Sequence, residues 1–153
     1  MLAHMSISAK NIADVLGGPK GLGKRILSMR DLERIVASGL PKSALDKLVD
    51  GFGEHFTEAS ANDIRFQIVP RATYNRVDRF NLQTSETIER IARLYAMALD
   101  AFSDPAAATR FMMRSHPELD SRSPFETALT ELGGRAVEEV IERGLHGLPV
   151  LSR

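Results

Sequence analysis

Apolar residues in this chain recur every three or four positions and nowhere in strict alternation, so the pattern predicts helices and no strands. Residues 12–16 predict a short helical turn. Ser28-Met-Arg-Asp31 has capping-box form with Asp in place of Glu, leads into Leu32, Ile35 and Val36, and stops at Gly39. Leu40-Pro41 opens the next helix, whose stripe is Leu45, Leu48, Val49 and Phe52 and whose end frays at Gly51 and Gly53. Ser60-Ala-Asn-Asp63 repeats the capping-box form ahead of Ile64, Ile68 and Val69. Pro70 interrupts, because the residue before a proline is pushed out of the helical region. Residues 71–80 then read as a short polar helix with Ala72, Val77 and Phe80 turned inward. Thr84 caps the longest helix, striped by Ile88, Ile91, Leu94, Tyr95, Ala98, Ala101 and Phe102. Asp104-Pro105 opens another, and Phe111, Met112 and Leu119 add to the core. Ser123-Pro-Phe-Glu126 is a capping box with proline at the first helical position. Val137, Val140 and Ile141 follow at helical spacing, and Gly144 suits a left-handed cap.

Glycine and proline punctuate two stretches. Gly17-Gly-Pro-Lys-Gly-Leu-Gly23 reads as a basic turn. Its spacing is not that of a GxxxxGK[ST] phosphate loop, and no strand pattern precedes it. Beyond Gly144 lies a short apolar tail, Leu145-His-Gly-Leu-Pro-Val-Leu151. By spacing alone, Leu145, Leu148, Val150 and Leu151 fold back onto their own core. A tail of this kind is also able to leave the domain and enter a partner.

Composition narrows the class. At 153 residues the chain fits one domain or two small ones. It has no cysteine, hence no disulfide framework and no thiolate metal site, which suits a reducing cytoplasm. No apolar run approaches the roughly 20 residues that span a bilayer, and the N-terminus lacks an apolar signal core, so no membrane partner is expected. Net charge is zero but unevenly spread. Residues 1–30 carry Lys10, Lys20, Lys24, Arg25 and Arg30 against Asp14 alone, and the C-terminal stretch is weighted towards Glu and Asp. A basic front and an acidic back suggest surfaces for different partners.

Candidate chemistry is sparse. His4, His55, His116 and His146 are scattered with no HExxH pair, and no GxSxG is present. Glu138, Glu139 and Glu142 read as a charged outer helix face. The expectation is a protein that is not an enzyme and uses no cofactor or metal. The segment around Pro70 is more suggestive, since helix, tight break and short polar helix outline a helix-turn-helix. Its second helix carries Arg71, Thr73, Tyr74, Asn75, Arg76 and Arg79. Arginine bonds phosphates or guanine edges, Asn pairs with adenine, and Thr and Tyr reach phosphates. The alternative is a solvated face whose arginines pair with Asp63 and Asp78. Spacing does not separate the two.

These signals, taken in order, resemble the Xre/MbcA/ParS antitoxins, the partners of RES-domain toxins, and the ParS branch most of all. The likeness rests on Val15-Leu-Gly-Gly, Gly39-Leu-Pro-Lys-Ser-Ala-Leu-Asp and Val69-Pro-Arg-Ala-Thr-Tyr-Asn-Arg near the front. It continues through Thr84-Ser-Glu-Thr-Ile-Glu-Arg-Ile-Ala-Arg-Leu, Ala101-Phe-Ser-Asp104, Ser123-Pro-Phe-Glu and Leu132-Gly-Gly-Arg-Ala-Val to Gly144-Leu-His-Gly147. The resemblance implies an all-α chain, with an Xre-like helix-turn-helix domain over residues 1–82 and a toxin-binding helical domain over residues 83–153. It implies an antitoxin without chemistry of its own, bound to an NAD-consuming or ADP-ribosylating RES toxin. Residues 142–151, Glu142, Arg143, Gly144, Leu145, His146, Gly147, Leu148, Pro149, Val150 and Leu151, would lie in or over the toxin's NAD pocket. Operator DNA and a second copy of the chain, as a homodimer within a toxin–antitoxin hetero-oligomer, are the further partners it implies. The competing reading is a helix-turn-helix regulator whose C-terminal domain only dimerises.

Overall fold

The computed structural model describes residues 7–53 and 58–145, and the regular structure among the described residues is all helical. Helix α1 (Ala9–Val15) starts at Ser8, whose hydroxyl accepts the Asn11 N–H at 3.1 Å. Helix α2 (Gly18–Leu22) replaces the expected basic turn. Pro19 sits in its first turn, where no amide donor is required, and Gly17 and Gly23 flank it with φ of 95° and 78°. The glycines thus bound a short helix instead of preventing one. Helix α3 (Met29–Ser38) has the Ser28 cap onto the Asp31 N–H at 3.1 Å, while the Asp31 carboxylate accepts the Leu27 N–H at 2.9 Å. That backbone bond, opposed by a smaller desolvation effect, holds the Asp31 carboxyl below its usual range.

Helix α4 (Lys42–Gly53) buries Leu45, Leu48, Val49 and Phe52 completely, the stripe the sequence predicts. Helix α5 (Glu58–Ile68) begins before Ser60, so Ser60 is a helical residue and not the expected cap. Helix α6 (Arg71–Arg76) ends four residues short of the predicted Phe80. The chain leaves the helix at Val77 because it pairs instead with the stretch before α4. The Phe80 N–H donates to the Leu40 carbonyl at 2.9 Å and the Lys42 N–H to the Asp78 carbonyl at 3.3 Å. Phe80 is buried as expected, Val77 is half-buried, and Ala72 is exposed instead of inward.

Helix α7 (Leu82–Phe102) is the spine of the molecule. Its cap is Asn81, whose side chain accepts the Thr84 N–H at 2.8 Å, so the expected cap Thr84 is itself the capped residue. Ile88, Ile91, Leu94 and Ala98 are fully buried. At about 1.5–3 kcal/mol for each large aliphatic side chain removed from water, this stripe alone fixes where the neighbouring helices lie. They are α1 and α3 from the N-terminal half and α8 (Pro105–Met113) and α10 (Glu131–Leu145) from the C-terminal half. The boundary expected between residues 82 and 83 falls at the start of α7, which therefore packs on both sides of it. Phe52 of α4 reaches across, meeting the Tyr95 ring at a centroid distance of 4.5 Å and the Phe125 ring at 6.5 Å. Phe125 lies in the short helix α9 (Pro124–Thr127), which follows a single 3₁₀ turn, Pro117–Leu119.

Candidate functional site

Two regions hold the residues singled out in the sequence. The first is α5, the bend at Val69-Pro70, and α6. Val69 is buried and anchors the bend, and the Pro70 carbonyl accepts the Tyr74 N–H at 2.9 Å. Tyr74 points inward. Its ring sits between Phe66, at 5.8 Å edge-on, and Phe80, at 6.5 Å, with the Lys42 ammonium 4.4 Å from its centroid. Its hydroxyl donates to Asp46 of α4, 2.7 Å from Oδ1 and 2.9 Å from Oδ2. Burial, and then the Asp46 carboxylate, push the Tyr74 phenol above its ordinary value of 10.0. Arg65 completes the cluster, donating from Nε to Asp46 at 3.1 Å and from Nη1 to Asn62 at 2.6 Å.

The six residues expected to face DNA therefore divide. Arg71, Asn75 and Arg76 are exposed, with the Arg71 guanidinium 4.2 Å above the Phe66 ring. Tyr74 ties α6 to α4, Arg79 donates to the Gly39 carbonyl at 2.8 Å, and Thr73 is half-buried. Asp46, Lys42 and Arg65 were not singled out as site residues, because nothing in the local pattern links residues 19 to 32 positions apart.

The second region begins at the end of α7. Ser103 takes the left-handed conformation, φ 56°, and Asp104 caps α8 by accepting the Ala106 N–H at 3.2 Å. Tyr95 and Thr109 join α7 to α8 through a buried hydroxyl pair at 3.0 Å. The capping box at Ser123 is complete: its hydroxyl accepts the Glu126 N–H at 3.0 Å, and Glu126 accepts the Ser123 N–H at 3.1 Å. Thr130 then caps α10, accepting the Gly133 N–H at 3.1 Å. Gly133 and Gly134 are required by packing. A Cβ on Gly133 would collide with the Thr127 carbonyl, and one on Gly134 would lie 2.6 Å from Arg90 Cδ. Arg90 closes this corner, donating to the Ala128 carbonyl at 3.0 Å and facing Glu131 at 3.5 Å. Val137, Val140 and Ile141 bury the inner face of α10.

Helix α10 does not stop at Gly144 but runs on through Leu145. Gly144 is exposed and Glu142 half-buried. Arg143 pairs with Glu118 of the 3₁₀ turn and lies 3.9 Å from Glu139, so it holds the last turn of α10 against the body of the domain. The remaining tail residues, His146, Gly147, Leu148, Pro149, Val150 and Leu151, lie outside the described residues.

Residues 97–147 match the family described as the antitoxin Xre/MbcA/ParS C-terminal toxin-binding domain. That stretch is an Xre/MbcA/ParS-type antitoxin domain. The match begins inside α7 and takes in α8, the 3₁₀ turn, α9 and α10, so the Xre/MbcA/ParS toxin-binding segment is the part organised around the Ser123 box and the Gly133-Gly134 corner. No curated protein matches the chain at a significant level. Among the described residues, no helix is long and apolar enough to cross a membrane.

Proposed function

We propose that this antitoxin binds a RES-domain toxin that consumes NAD or transfers ADP-ribose, and neutralises it by placing the segment after α10 over the NAD pocket. The match of residues 97–147 to a toxin-binding domain carries the reading, and favours it over a regulator whose C-terminal domain only dimerises. Residues 146–151 suit the role on chemical grounds. Gly147 allows backbone to approach a concave wall, and Leu148, Pro149 and Val150 displace water from an apolar one. In this reading the chain performs no reaction itself and works in the cytoplasm as a homodimer within a toxin–antitoxin hetero-oligomer. It also represses its own operon, with Arg71, Asn75 and Arg76 as the exposed contacts to operator phosphates and bases.

The test is NAD turnover by the RES-domain protein of the same operon, mixed with equimolar antitoxin. The full chain should abolish turnover. A chain ending at Leu145, which keeps α10 and the Arg143–Glu118 pair, should bind and fail to inhibit. Full inhibition by the shortened chain would move the blocking surface onto the helices.

A further inference from the structure

Between the end of α7, α8 and the 3₁₀ turn lies a pocket of about 230 Å³. Three rings run along it. Phe102 is 44% exposed and packs on Phe111 at 5.4 Å, and Phe111 meets His116 edge-on at 6.2 Å. Arg110 and Arg114 stand on its rim, both exposed and with no acidic partner among the described residues. His116 forms part of the lining and is only 7% exposed. Its Nδ1 accepts the Glu118 N–H at 3.2 Å, so the proton of the neutral ring sits on Nε2. That buried N–H has no acceptor among the described residues. A donor left unmatched in a buried place is costly, and one such group in a folded domain calls for an explanation.

We propose that this pocket is a second docking point for the toxin, and that it takes a glutamate or aspartate side chain of that protein. The two guanidinium groups on the rim are cationic and donate only, which selects a carboxylate. The Phe102–Phe111 stack gives an apolar wall for the methylene stem. The volume is below the ~300 Å³ where cofactor-sized sites begin and suits one side chain. All of these residues lie within the stretch that matches the toxin-binding domain. Arg143 pairs with Glu118, two residues beyond His116, so the pocket adjoins the end of α10. A toxin engaged by the segment after α10 would meet both.

This inference rests on the antitoxin reading, and its test separates the two. Affinity for the operon's RES-domain protein is measured with the full wild-type chain, with R110E/R114E and with R110Q/R114Q. Both arginines are exposed and unpaired, so the thermal midpoint should be unchanged. The charge reversal should weaken binding at least tenfold, and the glutamine pair less. Reversing one acidic residue of the toxin to arginine should restore binding to R110E/R114E. Unchanged affinity in both variants overturns the pocket alone. Loss of operator binding with intact toxin affinity makes the arginines a DNA phosphate contact, and overturns it also. Failure of the wild-type chain to bind the toxin overturns the antitoxin reading and the pocket together.

Discussion

Gly133 packs its Cα face directly against the carbonyl oxygen of Thr127, leaving no room for a side chain. Its neighbour Gly134 faces the flexible stem of Arg90 instead. The two glycines of the Leu-Gly-Gly-Arg motif should therefore respond differently to the same change. Gly133→Ala must push α9 from α10 and should cost about 3 kcal/mol, the upper range for overpacking a rigid contact. Gly134→Ala must displace the Arg90 stem and strain its bond to the Ala128 carbonyl, but alanine's helix propensity of about 1 kcal/mol offsets part of this, so the loss should be about 1 kcal/mol and smaller than at Gly133. Urea unfolding of the two variants checks the order, and equal losses would refute it.

The Tyr74–Asp46 bond gives a pH signature. With its phenol raised above 10.0, Tyr74 holds its proton in the folded state where the unfolded chain has begun to lose it. Its stabilising effect is thus fully present below pH 10 and is lost as pH climbs through the higher folded value. Unfolding free energy should fall through that alkaline window, and Tyr74→Phe should remove this contribution. At pH 7 the same variant should cost about 1 kcal/mol, the worth of one hydrogen bond. Absorbance titration at 295 nm should place the Tyr74 phenol later than a free phenol.

The exposed arginines predict a separate DNA effect. Arg71→Ala with Arg76→Ala should lower operator affinity and reduce the slope of log affinity against log salt by about 2, roughly 0.9 for each phosphate left without its arginine. Tyr74→Phe should leave that slope alone, since its hydroxyl is held by Asp46. Toxin neutralisation should survive the arginine changes. Gel shifts across a salt series decide it, and identical slopes would exclude these arginines.

Arg143 and the tail should separate by readout. Arg143→Ala breaks a half-exposed pair with Glu118 and should cost no more than about 1 kcal/mol. Gly147→Trp should leave the melting temperature unchanged and weaken inhibition by steric exclusion alone. A melting shift without any change in NAD turnover would argue against the tail as the blocking element.

The helices around the spine were legible in the sequence because their signals are local. The 3.6-residue stripe of α7, the Asp104-Pro105 start, and the Ser28 and Ser123 boxes each depend on residues within one or two turns of each other. The toxin-binding resemblance was legible for the same reason, as a run of motifs in order. What the sequence did not determine came from contacts between distant residues. Helix α6 stops at Arg76 because residues 78–80 pair with residues 40–42. Tyr74 turns inward because Asp46, 28 positions earlier, offers its hydroxyl a carboxylate. Gly144 does not end α10, and Arg143 there pairs with Glu118, 25 residues away. Only the fold gathers Phe102, Arg110 and the unmatched His116 donor at one pocket, since their spacing follows no helical period.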